Sequence, residues 1–140
     1  MKLSRTAEYA LRAALHIAEN AAERATSVDV LADELDVPRN YLSKILHRLT
    51  QAGVLASSRG PKGGFRLARP ADQITLGEVV DPVDPIATDR TCLLGRPQCS
   101  DTHPCPAHGR WRALAEELRV FFHETTLATL LASEAPPPAR

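Results

Sequence analysis

The sequence has no long hydrophobic run. No stretch approaches the ~20 consecutive apolar residues needed to span a bilayer. Arg12, His16 and Glu19 interrupt the first apolar stretch, so it lacks the unbroken segment of an export signal. The expectation is a cytoplasmic protein with no membrane partner. Cysteine is also scarce. The three cysteines cannot all pair with one another, and the cytosol keeps thiols reduced, which argues against a disulfide framework and for metal or redox chemistry. An enzyme signature is missing as well: there is no glycine-rich cofactor motif. No internal repeat is present. A chain of 140 residues with these absences reads as one domain with one hydrophobic core.

Net charge is absent too, with 17 Lys+Arg against 17 Asp+Glu. The average hides a split. Met1–Pro70 carries eleven basic and seven acidic residues, a net of +4, and Ala71–Arg140 carries six and ten, a net of −4. A surface field acts within roughly a Debye length of ~8–10 Å, so the local balance matters more than the total.

Helical periodicity begins at once. Ala7, Ala10, Leu11, Ala14, Leu15 and Ala18 recur at helical spacing from about Arg5 to Asn20, behind Ser4 as a candidate cap. A second helix starts after Thr26 or Ser27, carries Val30, Leu31 and Leu35 inward and stops before Pro38. A third, about Pro38 to Ala52, has an apolar stripe of Leu42, Ile45, Leu46 and Leu49 and closes at Gly53. Two helices around a tight turn make a helix-turn-helix. Val54–Ser58 and Phe65–Ala68 read as strands around the glycine-rich tip Arg59–Gly64. Thr75 and Glu78 suggest a capping box opening a short fourth helix. The predicted fold is mainly α with a small β-hairpin wing: a winged helix-turn-helix domain over 1–80, a cysteine-rich loop over 81–106, one long helix over 107–133 and a disordered tail over 134–140.

Acidic residues are missing where basic ones gather. Pro38 to Pro70 holds Arg39, Lys44, Arg48, Arg59, Lys62, Arg66 and Arg69 and not one Asp or Glu. Arg39, Asn40, Ser43, Lys44, His47 and Arg48 lie off the apolar stripe of the third helix. Such a helix fits the ~12 Å major groove of double-stranded DNA. The hairpin tip then offers Arg59 and Lys62 to the backbone or a neighbouring groove.

Cys92, Cys99 and Cys105 lie in the loop, with His108 three residues after the last, and Asp101 and His103 are nearby. Three thiolates with one further donor suit zinc or an iron–sulfur cluster. The tight knuckles of structural zinc sites are absent and longer arcs suit a bulkier group, while free redox thiols or simple packing stay open. On the last helix Trp111, Leu114, Leu118, Phe121 and Phe122 share a face that a monomer would leave partly wet, which marks an association surface.

Several segments resemble the iron–sulfur winged-helix transcription regulators of the IscR/NsrR type. These are Met1–Ser4 with Glu8–Leu11, Asn40–Lys44, the wing Arg59–Phe65, and Ile74–Val80. The resemblance implies a homodimer joined through the long C-terminal helix and bound to promoter DNA, with repression the expected outcome. It also implies a cluster, 2Fe–2S or 4Fe–4S, on Cys92, Cys99 and Cys105 that senses redox state, nitric oxide or iron–sulfur status. The fourth ligand it implies is His108 or, alternatively, Glu8 from the partner subunit. Readings outside this one are a zinc-stabilised or cluster-free regulator and a thiol-based redox or electron-transfer protein.

Overall fold

A computed structural model describes residues 3–20, 24–85, 92–97 and 100–133. Cys99 and the tail expected over 134–140 lie outside the described residues. Helix α1, Arg5–Glu19, is capped by the Ser4 side chain, which accepts from the Ala7 N–H. Its inner face is nearly all alanine: Ala7, Ala10, Ala13 and Ala14 are fully buried. Small side chains let neighbouring helices approach closely, and α1 is the central rod against which most other elements pack.

Helix α2, Val28–Leu35, starts at a Ser27 cap and ends at Asp36, which adopts a left-handed conformation with φ 53°. Helix α3, Arg39–Gln51, buries Leu42, Ile45, Leu46 and Leu49, the stripe expected from the sequence. Val30 departs from expectation and is 45% exposed. An eight-residue helix has only two turns to bury, and Leu31 and Ala32 take the inward positions.

Strands β1, Leu55–Ser58, and β2, Gly64–Leu67, form an antiparallel hairpin with Leu55 opposite Leu67 and Ser58 opposite Gly64. Thr26 adds a one-residue third strand through two hydrogen bonds with Phe65, at 2.8 and 2.9 Å. Gly64 makes this possible. A Cβ there would lie 2.4 Å from the Thr26 carbonyl oxygen. A 3-10 turn, Ala71–Gln73, leads into α4, Leu76–Val80, whose Thr75/Glu78 capping box is complete.

The single helix expected over 107–133 is instead two, α5, His108–Glu124, and α6, Leu127–Ala132. Thr125 and Thr126 are extended at the break, and the Thr126 side chain accepts from the Thr129 N–H to start α6. The reason for the break is tertiary. The Thr125 carbonyl accepts from Leu76 N–H and the Ile74 carbonyl accepts from Leu127 N–H, each at 2.9 Å, so the chain pairs with the segment before α4. Helix α6 then packs on α1, with Leu127 fully buried.

Candidate DNA interface and cysteine corner

Helix α3 turns Asn40, Lys44, His47 and Arg48 outward, with Ser43 half-buried beside them. Arg39 opens the helix and is ion-paired to Asp29 at the start of α2. The wing presents Arg59 and Lys62, both exposed at its tip, where Gly60 has φ 100° and the Gly63 N–H closes the turn onto the Gly60 carbonyl. Among the described residues, Lys44, Arg48, Arg59 and Lys62 have no ion-pair partner. Arg69 differs from them. Its guanidinium donates to Glu78 at 2.8 Å and to the Gln73 carbonyl at 2.9 Å, so it holds the start of α4.

Side-chain contacts invisible in the sequence pattern fix α3 and α2 on α1. The Tyr41 hydroxyl meets Thr6 while its ring packs edge-on against Tyr9, with centroids 5.8 Å apart. Arg12 donates to the Leu35 carbonyl at 2.7 Å, tying α1 to the end of α2.

Two of the three cysteines are described, and the fold brings them together. Cys92 and Cys105 are buried with their sulfurs 3.7 Å apart. The chain around Cys92 turns back on itself, with the Gly95 N–H on the Cys92 carbonyl and Gly95 at φ 80°. That turn aims backbone N–H groups at the sulfur. The Arg96 N–H leads in holding the Cys92 thiol below its ordinary value; burial opposes it, and the Leu94 N–H and Cys105 add to the lowering. Such an environment favours thiolate. Two thiolates on one tetrahedral metal with ~2.3 Å bonds lie about 3.7–3.8 Å apart. The spacing of the pair therefore fits soft-metal ligation.

His108 begins α5 beside Cys105, its N–H on the Cys105 carbonyl at 3.0 Å. Its Nε2 is 2.9 Å from Asp101, which also receives Arg112. Glu8 is elsewhere, exposed on α1 and 3.8 Å from Arg12. Among the described residues no three donors converge as a mononuclear metal site would require.

On α5, Leu114 and Phe121 are 49% and 50% exposed, and Trp111 and Leu118 are half-buried. Phe122 departs from the expected association face. It is 6% exposed and belongs to the chain's own core, where α5 packs against α4.

The family model Rrf2, described as iron-dependent transcriptional regulator, matches residues 3–133. The chain belongs to the Rrf2 family. An IscR transcriptional regulator of Cronobacter sakazakii is 33% identical over 131 residues, covering 94% of this chain and 80% of its own. The fold is that of T. potens IscR, with TM-score 0.78 at 22% identity over 100% of this chain and 94% of the other. It is equally that of CymR, the global cysteine regulator of B. subtilis, with TM-score 0.77 at 24% identity, 93% and 95% covered. This Rrf2 protein is a DNA-binding transcription regulator with a winged-helix fold, and not an enzyme.

Proposed function

We propose that this Rrf2 protein is a homodimeric, cytoplasmic regulator, a repressor by default, whose affinity for promoter DNA is set by an iron–sulfur cluster. The ligands are Cys92, Cys99, Cys105 and His108. The observation that carries the reading is the buried Cys92–Cys105 pair, 3.7 Å apart at the foot of α5, with backbone N–H groups turned onto one sulfur. A bound cluster supplies chemistry reactive toward electrons, oxidants and nitric oxide. The chain does the rest. The 92–97 turn aims backbone N–H groups at the Cys92 sulfur, and Asp101 orients the His108 ring through Nε2. Cys105 lies three residues before α5, so a group held there sits at the start of the helix whose Trp111, Leu114, Leu118 and Phe121 pair with a second copy. Residues 1–80 then present two recognition helices, one per subunit, to a two-fold DNA site. Within each subunit Arg39, Asn40, Ser43, Lys44, His47 and Arg48 face the major groove, and Arg59 and Lys62 the flanking backbone.

The test is anaerobic purification with iron and sulfide quantitation beside an absorption spectrum. Wild-type protein is expected to be coloured, with iron and sulfide in comparable amounts. Cys92→Ala, Cys99→Ala or Cys105→Ala is expected to remove most of both. His108→Ala should shift the spectrum and speed cluster loss, and Glu8→Ala should change neither. A colourless wild-type protein holding zinc, or neither metal nor sulfide, overturns the cluster reading and leaves DNA binding standing. The sulfur contact favours one second reading, a cluster-free regulator that uses Cys92 and Cys105 as a thiol pair. Mass spectrometry after mild oxidation would then show their crosslink.

A further inference from the structure

A groove of about 780 Å³ separates the wing tip from the beginning of α2. Its walls are Pro61–Gly63 of the wing, the connection Arg24–Ser27, and His16 and Glu34 on the two helices behind. Arg24 and Lys62 both line it, and among the described residues neither has an ion-pair partner. The groove has one carboxylate, Glu34, and His16 Nε2 holds it at 2.6 Å. The nearby carboxylate of Asp29 is engaged by Arg39. Two available cations therefore face a site whose acids already have partners.

The groove shares one wall with the wing, and its other wall, the start of α2, is tied to α3. The Asp29–Arg39 ion pair joins the start of α2 to the start of α3, and the Thr26–Phe65 pairing joins the other wall to the wing. If α3 and the wing face DNA, a strand that meets the wing tip comes beside this groove, because Lys62 belongs to both. Such a strand offers a phosphate about every 3.4 Å of helical rise. Arg24 lies outside the acid-free stretch, and only the fold sets it on the same groove as Lys62.

We propose that Arg24 and Lys62 form a phosphate clamp in this groove, holding the DNA backbone between the recognition helix and the wing. The proposal rests on the reading that α3 and the wing face DNA. A clamp on phosphate adds affinity at every sequence and fixes the angle at which α3 enters the major groove.

The test uses the full chain, in the metal state in which the wild-type protein binds, titrated onto a fluorescent mixed-sequence duplex across a salt series. Arg24→Ala is expected to reduce the slope of log affinity against log salt by about 0.9 per subunit. It should raise Kd roughly five- to tenfold per subunit at about 0.1 M salt, the contribution of one released counterion each. Arg24→Lys should restore most of the slope, and Arg24→Gln should behave like the alanine variant with an unchanged circular dichroism spectrum. If Arg24→Ala keeps the wild-type slope while Arg59→Ala lowers it, the clamp is wrong and the groove lies off the DNA path. If Lys44→Ala and Arg59→Ala both leave the slope untouched, the assignment of the whole face fails, and the clamp with it.

Discussion

At Glu78 one carboxylate serves two parts of the fold. One oxygen accepts the Thr75 N–H at 2.9 Å and closes the capping box of α4, and the other accepts Arg69 at 2.8 Å. Partial burial pushes the Glu78 carboxyl up, but the Thr75 N–H and the Arg69 guanidinium outweigh it, and the group ends below its usual value. A carboxylate depressed in the folded state gives stability that is fully present above its unfolded value, about 4.3, and is lost as pH falls through the folded value. Both side chains are about 40% exposed, so screening keeps the contribution near ~0.5 kcal/mol. Glu78→Gln is therefore expected to melt slightly below wild type at neutral pH, with the gap closing once pH drops under about 4. A gap constant across a pH series of thermal melts would show that the charge on Glu78 contributes nothing. The same contacts explain why Arg69, basic and in the acid-free stretch, is expected to leave the salt dependence of DNA binding unchanged when replaced by Ala.

Helix α5 is an element with two unlike faces. Phe122 points into the core against Phe121, with ring centroids 5.4 Å apart, while Phe121 and Leu114 remain half exposed. Adjacent phenylalanines thus have different expected fates. Phe122→Ala should cost about 3–5 kcal/mol of stability, the usual scale for a buried ring. Phe121→Asp should leave the subunit folded and shift sedimentation toward monomer, because a charge there would be buried only between two copies. Sedimentation velocity with circular dichroism separates the two. A Phe121→Asp chain that stays a tight dimer would place the interface on another face.

For the whole molecule, the zero net charge conceals a net-positive N-terminal half and a net-negative remainder. Binding should therefore be steep in salt despite the neutral total. With about 4–6 phosphate contacts per subunit, affinity of the dimer is expected to fall on the order of 10⁴- to 10⁶-fold between ~50 and ~200 mM salt. Fluorescence anisotropy measures this directly, and a flat response would remove α3 and the wing from the DNA interface. The −4 half should then lie away from the phosphates, consistent with Glu116 and Glu117 on α5 facing solvent.

What this sequence determined by itself is local. Ser4, Ser27 and the Thr75/Glu78 box start their helices because a cap needs only a side chain and the N–H groups two or three residues ahead. The stripe Leu42, Ile45, Leu46, Leu49 names the buried face of α3 because helical pitch is the same in any context. The acid-free basic run and the cysteine spacing were legible as composition, and the family resemblance rested on short motifs. The tertiary structure decided what depends on segments far apart in the chain. Thr125–Leu127 pairs with Ile74–Leu76, so an uninterrupted apolar periodicity still breaks into α5 and α6. Phe122 lies inward where α5 packs against α4. Arg69 is claimed by Glu78, Arg39 by Asp29, and Arg24 is set beside Lys62 on one groove. Cys92 meets Cys105 across thirteen residues. Periodicity and capping act within a turn or two of chain, whereas these pairings follow from how the elements pack around the alanine face of α1, which no window of neighbouring residues encodes.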